Sequence, residues 1–404
     1  MPLLDELVRS AWQAGASDLH LEPGLPPAFR VAGTLRPQGE PLTGGALLAE
    51  ARRLLTGSRW AEFAARRSAD LSRTLGGVRC RINVLHSSRG VGFAVRLLAT
   101  FTATIDSLNL HPDMAALAHK PHGLVLVSGP TGSGKSSTVA GIVQELNRTV
   151  ARHVVTLEQP IEHVLRSRKS YIRQREVGRD TPTFMQGLLD VLREDPDVVV
   201  VGEMRHPETM RLVLNIAETG HLVFSTLHSA TAAEALGRII SAFAPEAQSS
   251  VCAQLAECLV AVVCQRLVLR PDQGIRVPEL EILMSNDPVR AAIRSNSLHK
   301  LTTILQTNAA DGCWTRDRYR RWLDTKDRFF IPRAGAGEAL PEDPEEAGPA
   351  VAAPAAPAAP PPARPPYAGA APPAPAVAPR ADGVLELDGF DGDLGSILSE
   401  IDER

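Results

Sequence analysis

The sequence predicts an α/β domain with a largely parallel sheet, preceded by a small α+β unit and followed by a disordered tail. Three observations carry this prediction. Between about residues 123 and 268, short apolar runs alternate with helical periodicity, as in parallel sheets covered by helices on both faces. The segments before residue 105 are shorter and alternate in polarity like an antiparallel meander. After residue 332 proline and alanine dominate, and such a composition cannot offset the entropy of ordering the chain.

The composition of the 404 residues narrows the classes of function. A hydrophobic fraction of 44% is enough to build real cores, and no apolar run reaches the ~18 residues that span a bilayer. A net charge of −3 and a pI near 6.4 give no general attraction to nucleic acid or to anionic membranes. The N-terminal residues do not form a secretory signal, and the five cysteines include no C-x-x-C pair. We therefore expect a cytoplasmic protein with reduced, mostly buried thiols.

The first predicted unit, residues 1–105, is α+β. Helical spacing covers residues 3–14, 43–55 and 58–67. Strand-like segments cover 18–21, 28–31, 69–75, 78–85 and 91–97, with a short piece at Leu35. Residues 106–122 are predicted to be an interdomain linker.

The second predicted unit, residues 123–331, is α/β. The expected strands are 124–127, 154–157, 198–201, 222–225, 260–268 and 280–284. The expected helices are 136–146, 183–194, 207–219, 231–242, 246–259 and 315–325. This alternation predicts that several strands end at one edge of a common sheet.

The residues after the second unit divide into two segments. Residues 332–383 are predicted to be a disordered linker, since 14 of the 32 prolines lie between residues 341 and 379. Residues 384–404 carry seven acidic residues and one arginine, with apolar residues at helical spacing from Phe390 to Ile401. We interpret 384–404 as an acidic amphipathic peptide that docks on a partner of unknown identity, the alternative being an idle tail.

The strand at 124–127 leads directly into a G-x-x-x-x-G-K-[ST] phosphate loop without a mismatch. Its glycines allow a tight turn whose N–H groups point at phosphate oxygens. Lys135 supplies a positive charge for the β- and γ-phosphates, and the Ser136 hydroxyl suits Mg²⁺. The residues expected to bind nucleotide are Gly129, Pro130, Thr131, Gly132, Ser133, Gly134, Lys135, Ser136 and Ser137. The sequence therefore predicts a site for a nucleoside triphosphate, ATP, with Mg²⁺.

Acidic residues and histidines follow three other predicted strands. Glu158 and Glu162 come at the end of the strand at 154–157 or shortly after it, although acids at strand ends are common without any role. Glu203 follows the strand at 198–201, where it is expected to polarise water or to reach Mg²⁺ through a water. His228 follows the strand at 222–225 and is either a structural histidine or a sensor of the γ-phosphate.

Four arginines of the first unit lie on or beside predicted strands: Arg30, Arg79, Arg81 and Arg96. Isolated arginines usually cover a solvated face. A phosphoryl-transfer site, however, gains much from an arginine supplied by a neighbouring subunit.

Taken together and in this order, the motifs resemble those of the secretion-type ATPases, and most closely the type IV pilus retraction ATPases of the PilT/PilU group. The motifs that carry the resemblance are residues 16–20, 24–27, 129–138, 156–162, 192–205 and 219–228. The resemblance covers about residues 1–331 and does not reach the tail.

The resemblance implies a PAS-like first domain and a RecA-like ATPase domain in a homo-hexamer with ATP between subunits. Glu203 would be the catalytic glutamate, Glu162 would lie near Mg²⁺ and the attacking water, and His228 would be the sensor. Arg81 and Arg96 would reach the triphosphate of a neighbouring subunit. Mg²⁺ would be held by Ser136, Glu162 and Glu203, directly or through water. The ring would remove pilin subunits at the inner-membrane base of the pilus, beside the platform protein and in some cases a second pilus ATPase.

Two departures from the family pattern leave alternatives open. The family's aspartate box usually has an acid where this chain has Gln159, and His206 follows Met-Arg where an aspartate is usual. Losing a carboxylate beside Mg²⁺ would lower turnover, which leaves room for a low-activity accessory paralogue or adaptor at the pilus base. The intact Lys135, Glu203 and His228 oppose that alternative. A pilus extension or type II secretion ATPase is a further alternative, although this chain lacks the extra N-terminal domains and tetracysteine insertion usual in that group. A nucleic-acid motor is disfavoured by the acidic charge balance.

Overall fold

The computed structural model describes residues 2–31, 33–98 and 102–331. The predicted linker (332–383) and the predicted amphipathic peptide (384–404) lie outside the described residues. Within the described part the helices and strands follow the predicted order and form two β-sheets. None of the described helices is both long and apolar enough to cross a membrane.

The N-terminal unit contains a six-stranded antiparallel sheet and three helices. The strands are β1 (Ala16–Leu21), β2 (Ala28–Val31), β3 (Thr34–Pro37), β4 (Ser68–Leu75), β5 (Val78–Ser87) and β6 (Gly90–Leu97). The helices are α1 (Leu3–Gln13), α2 (Gly44–Leu54) and α3 (Gly57–Arg66). The strand order is β3–β2–β1–β6–β5–β4, and Ile82 and Val95 bury one face of the sheet against Leu4 and Leu47 of the helices. The predicted α+β unit is confirmed.

The second sheet has seven strands and is parallel except at one edge. The strands are β7 (Gly123–Ser128), β8 (His153–Glu158), β9 (Tyr171–Glu176), β10 (Val198–Val201), β11 (Leu222–Leu227), β12 (Leu259–Arg270) and β13 (Ile275–Met284). Their order is β13–β12–β7–β11–β10–β8–β9, with only β13 antiparallel to its neighbour. The predicted parallel sheet is confirmed.

Helices cover both faces of this second sheet. They are α4 (Ala115–Ala118), α5 (Lys135–Thr149), α6 (Phe184–Val191), α7 (Pro207–Glu218), α8 (Ala232–Ser241), α9 (Pro245–Cys258), α10 (Asp287–Arg294), α11 (Leu301–Thr307) and α12 (Arg316–Asp324). Neighbouring residues of one strand enter different cores: Leu126 packs in the core on one face, and Val125 packs in the core on the other. Burial on both faces explains why these strands are continuous apolar runs rather than alternating ones.

Strand β9 is absent from the sequence-based prediction. Its residues, Tyr-Ile-Arg-Gln-Arg-Glu, include one aliphatic side chain, so neither an apolar run nor a clear alternation marks it. The strand instead lies at the edge of the sheet, where the parallel ladder with β8 fixes its backbone. Arg173 and Arg175 both pair with Glu194, at 2.8 and 2.6 Å, so ion pairs take the place of apolar burial.

The segment 106–122, expected to be a linker, packs within the core of the second unit. It contains a short 3-10 turn (Pro112–Met114) and α4. Leu110, Met114 and Leu117 are buried with Val127 of β7 and Ile142 of α5. The apolar residues of this segment therefore have a packing role, and the predicted domain boundaries stay predictions.

Candidate active site

The phosphate loop lies between β7 and α5, and its backbone requires glycine at two points. Gly129 has φ of 152°, and a Cβ there would collide with the carbonyl oxygen of Gln265. Gly134 has φ of 86° and precedes the first turn of α5, where unpaired N–H groups favour an anion. The loop can therefore bring main-chain donors close to phosphate only with these residues.

Lys135 is held over the loop. Its Nζ donates to the carbonyl oxygens of Gly129 and Pro130, at 2.9 and 3.1 Å. Burial lowers the pKa of the Lys135 ammonium, although the carboxylates of Glu203 and Glu162 counteract this by favouring the charged form. The cation thus shares the site with two carboxylates that were predicted from the sequence.

Gln265 on β12 contacts the phosphate loop, although no sequence motif marks this residue. Its Nε2 donates to the carbonyl oxygen of Ser133 at 2.6 Å, and its Oε1 accepts from the Thr138 hydroxyl at 2.6 Å. The Gln265 side chain is buried, so its amide joins the loop to the first turns of α5. A polar residue after the apolar run of β12 is the only signal that could have identified it.

Glu203 follows β10 and lies between a histidine and an arginine. His228 Nε2 is 3.2 Å from Glu203 Oε1, and Arg205 Nη2 is 2.8 Å from Glu203 Oε2. Burial tends to raise the pKa of Glu203, but the hydrogen bond and charge of Arg205, with the charges of His228 and Lys135, lower it overall. Burial and the Lys135 charge lower the pKa of His228, whereas Glu203 opposes this change. At neutral pH the carboxylate is therefore ionised beside a neutral imidazole.

The strand β8 and the loop after it supply three further titratable side chains. Glu158 Oε1 accepts hydrogen bonds from the Thr156 hydroxyl at 2.7 Å and from Gln174 Nε2 at 3.1 Å. Burial nevertheless raises the pKa of Glu158 to about 7, and the nearby carboxylate of Glu162 adds to this effect. His163 Nε2 lies 3.0 Å from the Ser137 hydroxyl, and burial lowers its pKa. His163, like Gln265, was not found from the sequence.

Most of these groups line one cavity of about 440 Å³, which we call the phosphate-loop cleft. The predicted site residues that line it are Thr131, Gly132, Gly134, Lys135, Ser136, Ser137, Glu162, Glu203 and His228. Gly129, Pro130 and Ser133 belong to the same turn. Glu158, His163, Arg205 and Gln159 also line the cleft. The structure thus brings together residues from four strand ends that are far apart in sequence.

The predicted arginines lie elsewhere, on the N-terminal sheet. Arg81 and Arg96 are cross-strand neighbours, and Arg96 is in turn paired in register with Asp18 of β1. Arg96 Nε is 3.0 Å from Asp18 Oδ1, and Arg81 is exposed. Arg81 lines a second cavity, of about 870 Å³, which shares Arg205 with the phosphate-loop cleft. Within one chain, Arg81 and Arg96 therefore do not line the phosphate-loop cleft.

The donors in the cleft fit a magnesium-bound nucleotide better than a metal held by protein alone. Across residues 2–31, 33–98 and 102–331, no group of three or more His, Cys, Asp or Glu side chains is arranged to hold a metal ion. Ser136, Glu162 and Glu203 offer one hydroxyl and two carboxylates, and Mg²⁺ usually combines one or two carboxylates with phosphate oxygens and water.

A family profile described as "Type II/IV secretion system protein" matches residues 1–323. The chain belongs to this family.

Three similar proteins of known description define the position within the family more closely. The type IV pilus retraction ATPase PilT of Pseudomonas aeruginosa PAO1 is 37% identical over 84% of this chain and 99% of its own length. A twitching motility protein of Neisseria gonorrhoeae is 42% identical over 65% of this chain and 70% of its own length. A crystal structure of the pilus retraction motor PilT with bound ADP is 35% identical, with a TM-score of 0.70 over 79% of this chain and 96% of that chain. The predicted resemblance to the PilT/PilU group is confirmed.

For this family member we expect that Gln265→Leu weakens nucleotide binding, because it leaves the Ser133 carbonyl and the Thr138 hydroxyl without their buried partner. The Kd for ADP should rise about tenfold, equivalent to ~1.4 kcal/mol, in a titration with a fluorescent ADP analogue. Gln254→Leu, which removes hydrogen bonds to Asn215 and Glu218 on α7, is the matched control and should bind normally. Equal affinities in the two variants would show that Gln265 does not shape the loop.

The raised pKa of Glu158 predicts a pH dependence of stability. In the folded protein this carboxyl keeps its proton up to about pH 7, whereas its ordinary value is 4.5. Its contribution to the free energy of unfolding is therefore complete below pH 4.5 and is lost as the pH rises to 7. Glu158→Gln removes this pH-dependent loss. As the pH rises from 5 to 8, the melting temperature of the variant should therefore increase relative to that of the wild type. Melting curves that stay parallel across this range would contradict the assignment.

Proposed function

We propose that this protein is an ATP-hydrolysing motor that drives type IV pilus retraction. The observation that carries the proposal is the convergence of the phosphate loop, Glu203 and His228 in one cleft. A phosphate loop alone supplies binding, whereas an ionised carboxylate beside it can orient an attacking water. The P. aeruginosa relative matched along nearly its whole length is named as a pilus retraction ATPase, which supports retraction as the work performed.

Each residue of the cleft has a role in this proposal. The loop N–H groups and Lys135 would bind the phosphates, and Ser136, Glu162 and Glu203 would hold Mg²⁺, directly or through water. Bound Mg²⁺ would supply neutralisation of the charge on the β- and γ-phosphates. Glu203 accepts a hydrogen bond from the attacking water, a role that its lowered pKa favours. His228, neutral and next to Glu203, responds to the γ-phosphate.

We also propose that the protein works as a homo-hexamer in which Arg81 and Arg96 act on the triphosphate of a neighbouring subunit. The two arginines lie side by side on β5 and β6, so one subunit would present both together. Their separation from the phosphate loop of their own chain supports an action between subunits. We assign the ring to the cytoplasmic face of the inner membrane at the pilus base, with the platform protein as partner and a second pilus ATPase as a further one.

A second candidate function is that of a low-turnover accessory ATPase at the same pilus base. The observation that favours it is Gln159, which lines the cleft where the family pattern usually has an acid. An amide cannot neutralise Mg²⁺ as a carboxylate does, so turnover would fall while nucleotide binding persisted.

Glu203→Gln is expected to lower kcat for ATP by about 10²-fold, because the amide keeps the size of the side chain but loses the carboxylate that orients water. Affinity for ADP, which depends on the phosphate loop, should change little. Phosphate release at saturating ATP is the measurement. Glu257→Gln, on α9 and paired with Arg294, is the control with unchanged turnover. A wild type no faster than Glu203→Gln would favour the accessory function.

Deletion of the gene in its own host should abolish twitching while leaving abundant surface pili, because subunits are added but not removed. Twitching zones and pilus counts by electron microscopy measure this, with re-expression of the wild type as the control. Loss of the pili themselves would instead indicate an extension ATPase.

Mixing of inactive subunits tests the shared site. Arg81→Ala and Lys135→Ala homo-oligomers should each be inactive, since one lacks the donated arginine and the other lacks the phosphate-binding lysine. Mixed rings contain some interfaces with both groups intact, so ATP turnover should reappear on mixing. A mixture as inactive as its components would contradict the sharing of Arg81 between subunits.

A further inference from the structure

Arg79 on β5 is among the largest fully buried side chains in the described part of the chain, with 2% of its surface exposed. It lies two residues before Arg81 on the face of the N-terminal sheet that is opposite to Cys80 and Ile82 of the core. Its guanidinium enters the second unit, where Nη2 is 2.9 Å from Glu176 Oε2 at the end of β9. Glu176 is itself only 4% exposed. The two units are therefore joined by a buried ion pair.

The same pair holds the backbone of Ile161. Arg79 Nε donates to the carbonyl oxygen of Ile161 at 3.1 Å, and the Ile161 N–H donates to Glu176 Oε2 at 3.2 Å. Arginine, carboxylate and peptide group thus form a closed ring of three polar contacts. Both main-chain polar groups of Ile161 are fixed by side chains that come from different sheets.

Ile161 lies inside the loop that borders the phosphate-loop cleft. Its neighbours Pro160 and Glu162 both line the cleft, and the Ile161 side chain is buried. Glu162 is one of the two carboxylates that act on the Lys135 ammonium. A displacement of the Ile161 peptide would therefore move Glu162 relative to Lys135 and Ser136.

Stability alone does not explain the choice of these residues. A buried ion pair gains little over apolar side chains of similar size, because removing both charges from water is costly. An apolar pair, however, could not hydrogen-bond the Ile161 peptide. The chemistry of Arg79 and Glu176 is therefore suited to setting the position of a loop.

We propose that Arg79 is a positioning residue that fixes the loop carrying Glu162 and makes its geometry depend on the orientation of the N-terminal sheet. This inference rests on the proposed ATPase function and deepens it. Glu176 is the partner that orients the guanidinium. Neither residue touches the reacting groups; they act through the Ile161 peptide.

The test compares Arg79→Met with Arg59→Met in the full chain. Arg59 makes another contact between the two units, in which its Nη2 donates to the carbonyl oxygen of Gly178, at 3.2 Å, rather than to that of Ile161. We expect Arg79→Met to lower kcat for ATP about ten- to a hundredfold through misplacement of Glu162, with little change in KM. Hydrogen–deuterium exchange of the peptide containing Ile161 and Glu162 should become faster. Arg59→Met should change neither quantity, and Arg79→Lys, which keeps the charge, should recover part of both.

The double variant Arg79→Met with Glu176→Leu separates positioning from packing. It replaces the pair by apolar side chains, so its melting temperature should return towards that of the wild type while kcat stays low and exchange stays fast. Wild-type kcat and exchange in either Arg79→Met variant would overturn the proposal, as would a kcat loss that disappears in the double variant. Because exchange needs no turnover, a wild type without ATPase activity would defeat the proposed function and still leave the positioning of Ile161 measurable.

Discussion

The parallel arrangement of β7, β11, β10 and β8 is the constraint on which the rest of the site depends. These neighbouring strands are buried on both faces and run in the same direction, so their carboxyl ends meet at one edge. In that order they deliver the phosphate loop, His228, Glu203 and the loop containing Glu162. Residues up to about a hundred positions apart thereby share one cleft, although the apolar strands themselves carry no chemistry.

Within the cleft, opposite charges stabilise each other only in part. Burial disfavours the Lys135 ammonium, and two carboxylates partly counteract that effect. Glu203 is kept ionised mainly by Arg205, so it does not depend on Lys135 for its charge. Lys135 can therefore bind an anionic ligand while Glu203 stays ionised. Glu158 differs, because burial raises its pKa and its hydrogen-bond partners Thr156 and Gln174, which carry no charge, oppose that rise only in part.

Those features of the fold and of the site that depend on a pattern in nearby residues could be predicted from the sequence. The buried strands, the helices between them, the phosphate loop and Glu203 follow from apolar runs, helical periodicity and a motif in consecutive residues. The roles of Gln265, His163 and Arg79 could not be predicted in this way, since each residue contacts a segment that only the folded chain brings near it. Gln265 contacts a loop 132 residues earlier, and Arg79 contacts a peptide 82 residues later. Strand β9 was not predicted for a related reason: ion pairs rather than apolar burial hold its arginine side chains, so no apolar pattern marks the strand.

If domain motion in such a motor opens the contact between the two units, Arg79 and Glu176 suit the position better than two apolar residues. If the N-terminal sheet separates from the second unit, both charged groups return to water together, so the net cost of opening is small. Apolar side chains would instead become exposed to water on opening, at a free-energy cost of about 25 cal/mol for each Å² of apolar surface. Linkage would make such a coupling reciprocal: whatever in the cleft stabilises the loop at Ile161 would favour, by the same free energy, the orientation of the N-terminal sheet in which Arg79 contacts that loop. On the proposal that Arg79 positions this loop, the buried pair would convert a change at the nucleotide into a preference for one domain orientation.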